Sequence, residues 1–84
     1  MDENSLQVSE RLLIVLHNQG AVDRKKAKKS SELAQLLQID ASDVNKILYI
    51  QASDGYALSF TDDEGNTRHY LTPKGIIRVC SFFS

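Results

Sequence analysis

At Asp54-Gly55 the hydrophobic pattern of this 84-residue chain changes period, and that change constrains its architecture more than any other feature. Before it, apolar residues recur at helical spacing in three blocks. After it, the pattern alternates as strands do, and a last helical block follows. Residues 5–19 carry Leu6, Val8, Leu12, Leu13, Ile14, Val15 and Leu16 with no Pro or Gly before Gly20, which predicts a helix closed by a glycine. A second helix is expected over 30–38, capped by Ser30, with Glu32 in its first turn and Leu33, Leu36 and Leu37 at i, i+3 and i+4. Ile39-Asp40-Ala41 makes a short break. Ser42 is expected to cap a third helix over 42–53, in which Val44, Ile47 and Leu48 form the buried stripe while Asn45, Lys46 and Tyr49 face the other way. The segments Tyr56–Thr61 and Thr67–Thr72, rich in aromatic and β-branched residues, flank Gly65 and predict a hairpin over 56–72. Pro73 suits the first turn of a final helix, 74–83, where Gly75 is tolerated early. The expectation is a single α+β domain over residues 1–84, mainly helical.

Composition narrows the function. At 42% apolar and 25% charged residues the chain lies well away from compositions that stay disordered. Its longest apolar run, Leu12-Leu13-Ile14-Val15-Leu16, is far short of the ~18–20 residues of a membrane span, and Met1-Asp2-Glu3-Asn4 has no basic n-region. A cytoplasmic or nucleoid-associated protein is expected, nuclear if its source is eukaryotic. Cys80 is the single cysteine and closes no intrachain disulfide; it is expected as a small buried or half-buried apolar side chain. His17 and His69 stand alone in sequence, with no Gly-rich phosphate loop and no recognisable nucleophile context. Asp62-Asp63-Glu64 at a hairpin end does not converge on one point, as an acid/base pair or metal cage must. No enzyme activity, metal or cofactor is expected, and no small-molecule pocket can be inferred. The net charge of −1 hides a strong asymmetry: five of the ten basic residues, Arg24, Lys25, Lys26, Lys28 and Lys29, fall within one six-residue stretch expected as a loop over 20–29.

The order helix, helix, turn, helix, hairpin, helix resembles the winged helix-turn-helix family over nearly the whole chain. Residues 31–48 are similar to the bihelical motif itself, with small Ala34 at the helix crossing and Leu33, Leu37, Ile39, Val44 and Ile47 as its apolar contacts. Gln38 stands where that family often has glycine. Leu71-Thr72-Pro73-Lys74-Gly75 is similar to the strand-to-helix junction after the wing in MarR-like and ArsR-like repressors. Asp43–Tyr49 is also similar to the recognition helix of the Zalpha family, with Asn45 and Tyr49 matching, but that family's Pro-Pro pair and Trp are missing here.

The resemblance implies sequence-specific binding of double-stranded DNA by a small transcriptional regulator. The third helix would enter the major groove, presenting Ser42, Asn45, Lys46 and Tyr49, with Asn45 able to pair bidentately with adenine. Arg24, Lys25, Lys26, Lys28, Lys29 and Ser31 would anchor phosphates, and Arg68 would touch the backbone from the wing's flank. The acidic Asp62-Asp63-Glu64 disfavours a wing tip inserted in a groove. His69 is expected either beside the backbone or as a cross-strand packing residue. In the last helix Ile76, Ile77, Val79, Cys80, Phe82 and Phe83 cover most of the circumference, more than one shallow core buries. A homodimer through the first and last helices is therefore expected, involving Leu13, Ile76, Ile77, Val79, Phe82 and Phe83. A protein-interaction module in a larger assembly is the alternative, as is Z-form nucleic-acid binding; a chain continuing past Ser84 would also cover these residues.

Overall fold

Four helices and a three-stranded antiparallel sheet follow one another as α1 (Val8–Asn18), a 3-10 turn (Arg24–Lys26), β1 (Lys28–Lys29), α2 (Ser30–Leu37), α3 (Ala41–Ser53), β2 (Ala57–Thr61), β3 (Thr67–Leu71) and α4 (Pro73–Ser81). The computed structural model of the chain describes residues 7–83, so the expected helix start at residue 5 and the position of Leu6 lie outside the described residues.

The first three helices end by one device. At each end a residue with positive φ turns the chain back: Gly20 at +70°, Gln38 at +57° and Gly55 at +82°. The next amide reaches the carbonyl five residues back, from Ala21 to Leu16 at 2.9 Å, Ile39 to Ala34 at 3.0 Å and Tyr56 to Gln51 at 2.9 Å. These are Schellman closures, which satisfy carbonyls the helix leaves without intrahelical donors. Two use glycine; the one between α2 and α3 uses Gln38.

The helix starts differ from the expected caps. Lys29, not Ser30, holds the N-cap of α2, and its backbone N–H donates to Glu32 Oε1 at 3.1 Å. Asp40 precedes α3, so Ser42 falls inside the first turn rather than capping it. The hydroxyl of Ser30 is drawn to a tertiary partner instead of a local one.

The core is formed where α1, α2 and α3 meet the inner face of the sheet. Leu12, Leu13, Leu16, Leu33, Val44, Leu48 and Leu71 are fully buried there, and small Ala34 is buried with them. In the sheet, β3 lies between β1 and β2, with Ala57 opposite Leu71 and Ser59 opposite His69. Paired residues share a face. Ala57, His69 and Leu71 therefore face inward with Ser59 on the same face at its exposed margin, while Phe60 and Tyr70 pack edge to face on the other side with ring centroids 6.3 Å apart.

The junction into α4 rests on two residues. Thr72 Oγ1 donates to the Gly55 carbonyl at 2.6 Å and accepts from the Gly75 amide at 3.0 Å, capping the helix with Pro73 at its first position. Gly75 is required rather than tolerated: a Cβ there would lie 2.0 Å from the Tyr56 carbonyl oxygen. Because α4 buries Gly75, Val79 and Phe82 along one stripe, Cys80 is turned outward and is exposed, against the expectation of burial.

Candidate nucleic-acid interface

The outward edge of α3 carries Ser42, Asn45, Lys46 and Tyr49, all exposed, and Tyr49 retains 75% of its accessible surface. Burial of Val44, Leu48 and Gln51 on the opposite face fixes this orientation, and Gln51 Nε2 donates to the Ser9 carbonyl at 3.3 Å. Between α3 and the hairpin runs a groove of about 510 Å³ lined by Asn45, Tyr49, Leu58, Ser59, Thr67 and His69. A smaller depression of about 200 Å³ brings Lys29, Ser31 and Asn45 together with Asn66 and Thr67 of the hairpin. The outward edge of α3, the start of α2 and the hairpin thus share one concave face. Among the described residues no cluster of His, Cys, Asp or Glu could hold a metal ion, and no helix is long and apolar enough to cross a membrane.

Beneath Asn45 lies a buried polar chain that sequence reading missed. His69 is 1% exposed; its Nδ1 is 2.6 Å from Ser59 Oγ and its Nε2 is 2.7 Å from Ser30 Oγ. Ser30 Oγ donates in turn to Asn45 Oδ1 at 2.5 Å, and Nε2 lies 3.3 Å from the same oxygen. Burial pushes the imidazole pKa down from 6.5 to about 4, so the ring is neutral at neutral pH. A neutral imidazole has one donor and one acceptor nitrogen, and both find a hydroxyl here. His69 looked isolated because its partners lie 39, 24 and 10 residues away in sequence. The alternation Arg68-His69-Tyr70 within a strand, which places His69 on the inner face, was the only signal available.

Solved structures share this fold. A protein of Ralstonia eutropha JMP134 superposes with a TM-score of 0.78 at 18% identity, over 95% of this chain and 100% of that one. TubR from Bacillus megaterium pBM400 gives 0.74 at 23% identity, over 90% and 84% of the two chains. A Staphylococcus aureus MepR mutant bound to an oligodeoxyribonucleotide gives 0.75 at 19% identity, over 89% of this chain and 53% of MepR, so the chain spans about half of that protein. The fold is a winged helix-turn-helix. No family model and no curated protein sequence matches the chain. Within the winged helix, α2 and α3 are the bihelical motif and β2–β3 the wing.

The basic stretch of this winged helix is organised rather than a loop over 20–29. Asp23 accepts from the Lys26 amide at 2.9 Å to start the 3-10 turn, and Lys28 and Lys29 then pair with His69 and Arg68 as an edge strand on the wing. Lysines suit an edge strand because their charge discourages pairing with another chain. Arg24 stacks on the wing, its guanidinium carbon 3.9 Å from the Phe60 ring centroid. Lys25 and Lys26 are exposed and Lys28 and Lys29 half-buried, so this part of the cationic segment lies against the wing.

Arg68 uses two of its five donors within the chain. Its Nε donates to Asp62 Oδ2 at 2.7 Å and its Nη1 to the Ala27 carbonyl at 3.2 Å, tying the wing's turn to the basic segment. The hydrogen bond from Arg68, with the Asn66 amide second, lowers the Asp62 pKa to about 2. Asp62 also accepts from the Glu64 amide, which makes it the organiser of the wing turn; Asp63 and Glu64 are exposed beside it.

Of the residues expected at a dimer contact, Leu13, Val79 and Phe82 belong to the chain's own core, at 1%, 2% and 8% exposure. Ile76 packs partly against that core. Only Ile77 and Phe83 stand clear, each 71% exposed. The division follows from α4 docking on α1 and the sheet by a single stripe, so residues off that stripe remain outside.

Proposed function

We propose that the chain is a DNA-binding transcriptional regulator that places α3 in the major groove of duplex DNA and anchors phosphates with its basic segment. One observation carries this reading: the exposed edge Ser42, Asn45, Lys46 and Tyr49 shares a concave face with the wing and the start of α2, with the basic segment packed on the wing beside it. A major groove about 12 Å wide accepts a helix presented in this way. The likeness to MepR bound to an oligodeoxyribonucleotide supports it. In this reading Ser42, Asn45 and Lys46 face base edges, Tyr49 contacts the backbone, and Arg24, Lys25, Lys26, Lys28, Lys29 and Ser31 supply the phosphate contacts. Two-fold recognition of a duplex favours a homodimer, and exposed Ile77 and Phe83 supply apolar surface for it.

The test is titration of a mixed duplex library at several salt concentrations. About four neutralised phosphates give log K a slope near −3 to −4 against log salt, at roughly −0.9 per contact. Neutralising Lys25, Lys26, Lys28 and Lys29 together should flatten that slope. An unchanged slope removes the anchoring role, and no binding at low salt removes the reading. A left-handed duplex in the same series separates Z-form recognition from B-form recognition.

A further inference from the structure

We infer that the chain Ser59–His69–Ser30 fixes the side-chain amide of Asn45 so that it meets nucleic acid as a hydrogen-bond donor only, and so selects the base it contacts. The inference rests on the reading that α3 faces DNA. Ser30 and His69 are then positioning residues for Asn45.

The direction of the chain follows from counting donors. Asn45 Oδ1 is the atom facing Ser30 Oγ at 2.5 Å and His69 Nε2 at 3.3 Å. The carbonyl end of the amide is therefore the end turned toward the chain, where it accepts from the Ser30 hydroxyl and faces the imidazole. Of the two carbonyl oxygens in reach of the Ser30 hydroxyl, Oδ1 is nearer than that of Thr67 at 3.4 Å, and the proton goes to Oδ1. Ser30 Oγ must then accept from His69 Nε2–H across 2.7 Å, which leaves Nδ1 unprotonated to accept from the Ser59 hydroxyl at 2.6 Å. Every member is satisfied with one imidazole proton, on Nε2. The depressed pKa of His69 keeps the second proton off the ring at neutral pH.

The consequence is at the surface. Asn45 is exposed, and Nδ2 is the end of its amide without a hydrogen-bond partner among the described residues. The adenine contact anticipated from sequence is bidentate and needs both ends of the amide: Nδ2 donating to N7, Oδ1 accepting from N6. Here both lone pairs of Oδ1 face donors within the chain, the Ser30 hydroxyl and the Nε2–H that Ser30 Oγ and Oδ1 share. A donor-only amide suits guanine N7 and O6 or thymine O4, and discriminates against adenine relative to an unrestrained Asn.

Two measurements on the intact protein decide it. Long-range nitrogen–proton NMR of the free protein should show His69 protonated at Nε2 and bare at Nδ1; the opposite tautomer overturns the assignment. Selection from a randomised duplex library should show an Asn45-dependent position that prefers guanine or thymine. In Ser30→Ala the nearer of the two donors to Oδ1 is lost and only Nε2–H at 3.3 Å remains, so the amide is held less firmly and relative affinity for adenine there should rise by roughly two- to fivefold with the salt slope unchanged. Ser30→Thr, which keeps the hydroxyl, should retain the original preference. If Ser30→Ala does not fold, Ser59→Ala, at an exposed position, loosens the same chain from its other end and should shift the preference the same way. An unaltered preference in the alanine variant that folds overturns the proposal. If Asn45→Ala changes no base preference, the placement of Asn45 against bases is wrong. The tautomer of the free protein distinguishes that failure from failure of the chain.

Discussion

Gln38 holds a left-handed backbone conformation at φ +57° without the freedom of glycine, which the chain uses at the equivalent positions Gly20 and Gly55. Its Cβ makes that conformation cost on the order of 1 kcal/mol. Gln38→Gly should raise stability by about 0.5–1 kcal/mol, read from the urea midpoint; a loss would show that the Gln38 side chain contributes more than its backbone costs. Gly75 is the opposite case. Its Cβ would lie 2.0 Å from a backbone oxygen that also receives the Thr72 amide, so Gly75→Ala must push α4 off the wing. A loss of about 2–3 kcal/mol or more is expected, a large share of the stability of a chain this size. His69 couples stability to pH. The unfolded chain takes up a proton on this ring near pH 6.5, the folded chain only near 4. Stability contributed by the neutral ring is therefore complete above about pH 6.5 and declines as pH falls toward 4. Urea midpoints of the wild type should drop across that window, and His69→Gln should lose most of that slope.

At the scale of elements, the basic segment divides between tasks that charge counting cannot separate. Lys28 and Lys29 complete the sheet, Arg24 covers Phe60, and Arg68 holds Asp62 and the Ala27 carbonyl. Arg68→Ala should therefore cost about 1 kcal/mol of stability and leave the salt dependence of duplex binding as it was. Neutralising exposed Lys25 and Lys26 should do the reverse, lowering the slope by about 2 at unchanged urea midpoint. A fall in slope for Arg68→Ala would return that residue to the phosphate contacts. The helices themselves were legible, since each apolar period and each glycine stop is encoded locally. β1 was not: a two-residue strand of lysines has no period, and only the free edge of β3 makes it one.

For the whole molecule the open face of α4 is decisive. If Ile77 and Phe83 mediate pairing, light scattering should show a dimer at tens of micromolar protein, and Ile77→Asp should run as a monomer with an unchanged unfolding midpoint, because Ile77 is 71% exposed in the isolated chain. A monomer at high micromolar wild-type concentration would set the pairing aside. Order and type of the four helices and the hairpin, the Schellman stops at Gly20 and Gly55, and the outward edge of α3 are written in the sequence by itself, because each depends on residues within one or two helical turns. Tertiary structure alone decided which apolar residues of α4 enter the core, why residue 75 must be glycine, and that Ser30, Asn45, Ser59 and His69 meet. Those outcomes depend on residues 10 to 39 positions apart in sequence brought into contact, and no local pattern carries that distance.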